Sequence, residues 1–262
     1  MPISRASTAS APLRLAGLLY GIAAYTAFNV VVVYCIGFLG NFLVPFSIDA
    51  GRTLNAPGAV LINVTLLALF AVQHSLMARP GFKAWVTHHV PTNLERATYV
   101  VLSSAVLAFV MWQWRPLPTI VWQVDAAWAQ TVLWILFASG WILALAATFF
   151  TDHFELLGLK QALAYFRDHR HVPSEFREVA VYRWVRHPIM LGQIVAFWAT
   201  PTMSVGHLLF ATVMLAYTLI GLYFEERDLI AAHGDAYRTY RRRTPGLIPR
   251  PPRPQTRKEE HR

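Results

Sequence analysis

Residues Ile189–Phe224 read IMLGQIVAFWATPTMSVGHLLFATVMLAYTLIGLYF and contain no Asp, Glu, Lys or Arg. As one helix rising about 1.5 Å per residue, this block would far overrun a hydrocarbon core about 30 Å thick. Its one break is Thr200-Pro201-Thr202. The block therefore predicts a helical hairpin turning at Pro201. The first arm is short, and Pro188 suits a first-turn position at its start. Outward from the hairpin, four further apolar stretches are long enough to cross a bilayer: Leu15–Leu39, Gly58–Leu76, Thr98–Trp114 and Trp128–Phe150. The fold class that follows is all-α, a polytopic transmembrane helix bundle of about six spans, the last two a Pro-broken hairpin, with a cytoplasmic C-terminal helix.

Composition agrees. The chain has 262 residues, of which 55% are hydrophobic and only 14% charged. Soluble domains average about 25% charge. The single cysteine, Cys35, excludes an internal disulfide framework and a cysteine-cluster metal site. The first apolar stretch lacks a small-residue cleavage site and is followed by more spans, so it reads as an uncleaved first span.

The net charge of +9 is a matter of topology. With six spans, every Lys and Arg except Arg52 and Arg115 falls on one side of the membrane. Cytoplasmic loops collect such residues, which puts both termini in the cytoplasm. Anionic lipid headgroups, not nucleic acid, are the expected partners of this charge. Trp112, Trp114, Trp122 and Trp128 suit an aromatic belt at the opposite interface.

One domain is expected over 1–262: an N-terminal tail (1–13), four spans (14–150), a cytoplasmic segment (151–187), the hairpin (188–224), a closing C-terminal segment (225–248) and a disordered tail (249–262). Within 151–187, residues 156–185 read either as an interfacial amphipathic helix over the site or as a plain linker.

The informative polar residues sit at the cytoplasmic helix ends: Gln73, His74 and Ser75; Glu95, Arg96 and Tyr99; Asp152, His153 and Glu155; Arg186 and His187; Glu225, Glu226 and Arg227. Topology brings these groups to one depth beneath an apolar bundle, a candidate active site. Helix capping and interfacial anchoring are the plain alternatives for each. No H-x-x-x-H pair or third histidine cluster supports a metal centre, so no metal ligands are assigned. A haem held by two transmembrane histidines remains open. No glycine-rich phosphate loop occurs.

The C-terminal third carries a more specific pattern. Residues 182–192 read YRWVRHPIMLG; after the hairpin come Glu225-Glu226, Leu229, Gly234, Tyr237 and Tyr240. This order resembles the isoprenylcysteine carboxyl methyltransferase superfamily. Upstream, FAVQHSLMARPGFK (70–83), ERATYVVLSS (95–104), MWQWRPLP (111–118) and TDHFELLGLKQ (151–161) resemble its NnrU-like branch, and most closely bacterial methanethiol S-methyltransferases. Met190 stands where the wider superfamily often has an aromatic residue, which favours the small-thiol branch.

The resemblance implies S-adenosylmethionine-dependent methylation of a small thiol, most simply methanethiol to dimethyl sulfide, at the cytoplasmic face. It maps Arg186, His187, Pro188 and Gly192 to the entry of the cofactor site and Glu225, Glu226, Tyr237 and Tyr240 to its closing wall. The residue types suit a ligand with a carboxylate, an ammonium and a sulfonium: Arg or His for the first, Glu for the second, Tyr for the third. A thiol must lose its proton to become a good nucleophile. His74 and His153 are the candidate bases, with Glu155 or Asp152 orienting the ring and Glu95 a weaker alternative. Other readings stay open: an isoprenylcysteine- or phospholipid-type acceptor, an NADPH-dependent membrane reductase, and a non-catalytic NnrU-like membrane protein.

Overall fold

The computed structural model describes residues 9–169, 171–172 and 179–249. Most of the expected N-terminal tail, Arg170, Arg177 and the tail after Pro249 lie outside the described residues. The helices are α1 (Ala11–Gly40), α2 (Ala56–Ala78), α3 (Pro80–Val86), α4 (Glu95–Gln113), α5 (Ala127–Thr151), α6 (His153–Leu156), α7 (Leu159–Phe166), α8 (Pro188–Trp198) and α9 (Val205–Arg243). Two short strands, β1 (Ile120–Gln123) and β2 (Thr202–Ser204), complete the described secondary structure together with 3₁₀ turns at Thr92–Leu94 and Ala180–Arg183.

Five helices (α1, α2, α4 with its preceding turn, α5 and α9) are long and apolar enough to cross a bilayer. Their outward faces carry Leu61, Val33 and Ile142, each about two-thirds exposed. Water would penalise such a surface, whereas lipid does not. The chain is an integral membrane protein. Between these helices Phe38, Leu67, Val110, Met111, Phe197 and Phe210 form the packed core. Trp114, expected in the interfacial belt, belongs to this core as well: it is 2% exposed and its Nε1 donates to Ile48 O at 3.0 Å. Trp128, at 75% exposure, keeps the expected surface position.

The hairpin turns where Pro201 predicts, but its first arm is less than a full crossing. Helix α8 has 11 residues, roughly 16 Å of rise against a core of about 30 Å. The chain between α4 and α5 completes that path. Strand β1 pairs antiparallel with β2, with Gln123 opposite Thr202 and Ile120 opposite Ser204. Val124 N donates to Pro201 O at 2.9 Å, and Trp122 Nε1 to Thr200 O at 3.3 Å. This ribbon, absent from the all-α expectation, satisfies the backbone groups freed by the helix break. In a low-dielectric setting those groups have few other partners. Ser204 then caps α9 by accepting from His207 N at 3.0 Å.

Small residues set the close contacts. Gly140 and Ala144 of α5 face Gly192 and Ala196 of α8, and a Cβ built on Gly192 would stand 2.4 Å from Gly140 O. This is the small-xxx-small crossing of membrane helices. On α1, a Cβ on Gly17 would meet the Tyr165 ring at 2.6 Å, and one on Gly21 would meet Ala162 Cβ at 2.3 Å. Residues 159–166 of the ambiguous segment are therefore a helix, α7, docked in a groove of α1.

Replacing Gly192 by Val should overpack the α5–α8 crossing and cost about 1–3 kcal/mol. Thermal unfolding of the detergent-purified protein, followed by size-exclusion chromatography, checks this: the midpoint should fall by several degrees.

Candidate functional site

At one end of the bundle, the start of α4, the end of α5, the start of α8 and the C-terminal half of α9, with α6, surround a cavity of about 920 Å³. Its polar lining includes Glu95, Arg96, Asp152, His153, Glu155, Arg186, His187 and Glu225; Phe149, Phe150, Phe154, Tyr182, Tyr237 and Tyr240 supply its aromatic wall. The segments that build it are far apart in the chain. Each enters at a helix end, where polar side chains are tolerated next to lipid.

The wall formed by α8 and α9 rests on Glu226. Its Oε1 accepts from Arg186 Nε at 2.9 Å, forms a second contact with the same guanidinium, and lies 3.3 Å from His187 Nε2. Its Oε2 faces Arg241 Nε at 3.0 Å. Arg186 also donates to the carbonyls of Arg241 and Thr244, while the backbone N–H groups of Arg186 and His187 donate to Pro245 O and Gly246 O at 2.9 and 3.1 Å. The terminal arm can make these bonds because α9 breaks at Gly234, where φ is 57° and ψ −130°. That conformation is natural to glycine and costly to other residues. Beyond the break, Tyr237 and Tyr240 are buried, and Tyr240 Oη donates to Tyr182 O at 2.6 Å. Glu225 instead lines the cavity, 44% exposed in its side chain, with Oε2 3.4 Å from His187 Nδ1.

Opposite, α5 ends where Asp152 adopts φ 113° and ψ 82°, an unusual conformation for a residue with a Cβ. Its side chain accepts from Glu155 N at 3.0 Å, starting α6, and pairs with Lys160. The abrupt turn buries His153 to 2% exposure at the cavity wall. The His153 ring stacks on Phe149, with centroids 4.1 Å apart and planes 8° apart. Nδ1 lies 2.7 Å from Thr148 Oγ1 and Nε2 3.1 Å from Tyr25 Oη. Burial lowers its pKa below the usual histidine value, partly opposed by the Asp152 carboxylate. Glu155, the expected orienting partner, lies 3.3 Å from His171 Nε2.

Of the sequence-expected residues, Arg186, His187, Glu225, Tyr237, Tyr240, His153 and Glu155 line the cavity. Pro188 is buried at the first turn of α8, Gly192 lies at the crossing with α5, and Glu226 stands behind the wall it ties together. His74 lies one layer back. Its Nε2 pairs with Tyr99 Oη at 2.7 Å and its ring stacks on Phe70. The Arg96 guanidinium sits 5.0 Å over the Tyr99 ring and itself lines the cavity. Thr148 and Tyr25 escaped the sequence reading: both sit inside long apolar runs. The Gly17–Gly21–Tyr25 spacing, one residue per helical turn, is the only hint.

The sequence profile of the NnrU protein family matches residues 62–247. The chain belongs to the NnrU family. Among its curated relatives, methanethiol S-methyltransferase 2 of Bradyrhizobium diazoefficiens is 52% identical over 240 residues, covering 90% of this chain and 91% of the relative. Methanethiol S-methyltransferase of Mycobacterium tuberculosis is 49% identical over 236 residues, covering 90% and 97%. A more distant likeness, 29% over 181 residues, is to nurim of Sus scrofa, covering 64% and 66%. No solved structure matches the chain significantly. The NnrU-matched segment begins inside α2, so α1, which brings Tyr25 to His153, lies outside it.

Glu226→Ala would leave Arg186 and His187 buried without their shared carboxylate. Loss of one partner of a buried pair costs about 3–5 kcal/mol. Thermal unfolding should therefore register a larger drop for Glu226→Ala than for Glu225→Ala, whose side chain is half exposed.

Proposed function

We propose that this chain is an S-adenosylmethionine-dependent thiol S-methyltransferase. In this reading it converts methanethiol to dimethyl sulfide at the cytoplasmic face of a bacterial inner membrane, with both termini in the cytoplasm. The observation that carries the reading is the cavity itself. It joins cationic, anionic and aromatic groups at one end of an apolar bundle, in a chain about half identical to proteins named for that reaction.

The residues present fit the donor. The volume of about 920 Å³ lies in the range of small-molecule sites, roughly 300–1,000 Å³. Arg96 offers a guanidinium group to a carboxylate, while Arg186, whose guanidinium is taken up by Glu226 and the carbonyls of Arg241 and Thr244, holds the wall beside it. Glu225 is the carboxylate for an ammonium group, because Glu226 is already committed to two guanidinium groups. The rings of Tyr182, Tyr237 and Tyr240 suit an adenine and a sulfonium. When bound, S-adenosylmethionine supplies an electrophilic methyl group on that sulfonium.

His153 takes the thiol proton. Burial keeps its ring neutral, hence basic, over a wider acidic range than a free histidine. Phe149, Phe150 and Phe154 make the adjoining wall apolar. Attack of a thiolate on a sulfonium cancels two opposite charges, and a water-poor wall favours that change. The same wall suits a small apolar acceptor and product, which also dissolve in the lipid around the bundle. Through Tyr99 and Arg96, His74 supports the site from behind.

Cells expressing the protein and fed methanethiol should release dimethyl sulfide, measured by headspace gas chromatography; vector-only levels would defeat the reading. The pH profile carries a sign. The base works unprotonated and its pKa lies below the free value of about 6.5. The acidic midpoint of turnover should thus fall below that of a free histidine base, turnover being lost only as the pH drops through the lowered pKa. His153→Ala should lower kcat by about 10²-fold or more, whereas His74→Ala should cost less.

A further inference from the structure

The charged groups on the cavity wall differ in what they are already bound to. Arg186 is taken up by Glu226 and two carbonyls, Asp152 pairs with Lys160, Glu155 faces His171, and Glu225 faces His187. On the flank built by α3 and the start of α4, Lys83, Glu95 and Arg96 also line the cavity. Among the described residues, neither the Lys83 ammonium nor the Glu95 carboxylate has a hydrogen-bond or ion-pair partner. Arg96 donates from Nε to Leu156 O at 2.6 Å, which leaves its two Nη groups without a partner among the described residues. The α8–α9 flank is therefore neutralised internally, and the α3–α4 flank is not.

The position of Lys83 is built into the corner between α2 and α3. Arg79 breaks the helix with φ −73° and ψ 141°, and Pro80 opens α3. The corner is fastened to α9, because Arg79 pairs with Asp228 at 3.5 Å and sits 5.3 Å over the Phe224 ring. Lys83 N donates to Arg79 O and Lys83 O accepts from Thr87 N, each at 3.0 Å, so Lys83 is held in the helix. Lys83 and Trp85 stand two positions apart, about 200° around a helix of 3.6 residues per turn. Trp85, 59% exposed, takes the outer face, and half-buried Lys83 takes the cavity face.

We infer that Lys83 is a specificity-determining residue of the donor site: with Arg96 it receives the carboxylate of the donor's amino-acid end. The inference rests on the S-adenosylmethionine reading and deepens it. Of the two reactants, only the donor carries a carboxylate. With Glu95 alongside, the flank has two positive charges and one negative. That balance disfavours a phosphate dianion, which Glu95 would repel, and suits an amino-acid end, whose ammonium lies one carbon from its carboxylate. Without an anion, the wall keeps a half-buried ammonium that has no counter-charge, an unfavourable arrangement. A bound carboxylate supplies one through charge-assisted hydrogen bonds. Methyl transfer leaves that carboxylate unchanged, so the contact binds donor and demethylated product alike and acts on affinity.

The test uses the full-length protein in detergent and isothermal titration calorimetry with two probes. One is S-adenosylhomocysteine. The other is its decarboxylated analogue, which keeps the adenosine, the sulfide and the ammonium. The wild type should bind the first more tightly. Lys83→Met, which keeps the length of the stem and removes the charge, should weaken S-adenosylhomocysteine about tenfold and leave the analogue within about twofold. Lys83→Arg should restore most of the loss. In turnover, Lys83→Met should raise KM for the donor and leave KM for the thiol unchanged. Unaltered binding of S-adenosylhomocysteine by Lys83→Met overturns the inference, and so does an equal loss for both probes, which would mark a structural role. A wild type that binds neither probe defeats the donor reading itself, and the inference with it. A wild type that binds S-adenosylhomocysteine beside an indifferent Lys83→Met defeats the inference alone.

Discussion

The carboxylate of Glu226 is the point on which the site's architecture depends. Two guanidinium groups and an imidazole converge on it, from the start of α8 and from the far arm of α9. A single buried carboxylate next to lipid would be prohibitively costly. Surrounded this way, it becomes a bolt between two segments some 40 residues apart. It also explains the division of labour in the Glu225-Glu226 pair. One residue holds the wall together, and its neighbour, half exposed, is turned toward the cavity.

The second governing constraint is the solvent. A bilayer offers no hydrogen bonds, so each departure from helix must find partners inside the protein. Helix α8 stops short, and the β1–β2 ribbon answers that stop. Asn63, fully buried, bonds both the N–H and the C=O of Arg115 where α4 has ended. Polar chemistry can accumulate only where helices end at the interface. There the breaks at Asp152 and Gly234 turn side chains inward that a continuous helix would leave facing lipid or water.

Much of the site was legible because its residues are out of place in their surroundings. Arg186-His187-Pro188 interrupts the approach to an apolar hairpin, Glu225-Glu226 ends one, and Gly234 precedes two tyrosines at a helical spacing. His74 and His153 looked equivalent, since each sits at the inner end of a span. What separates them is the direction of entry. Helix α2 turns His74 toward Phe70 and Tyr99, whereas the kink at Asp152 swings His153 to the cavity wall. Gly192, read as part of a ligand site, is needed for helix approach: its missing Cβ lets α8 meet α5. Tyr25 and Thr148 left no trace in hydropathy, because one hydroxyl in an apolar run changes neither its length nor its mean.

The sequence alone determined the membrane character, the number and order of the long helices, the hairpin at Pro201 and the end of the bundle where charge collects. These follow from local properties: apolar run length, the positions of Lys and Arg, and proline's missing N–H. Tertiary structure decided which of two carboxylates is bound internally, which of two histidines reaches the cavity, and which hydroxyls hold that histidine's nitrogens. Those outcomes depend on helix rotation and on close approach at small residues, quantities summed over many contacts that no single stretch of chain encodes.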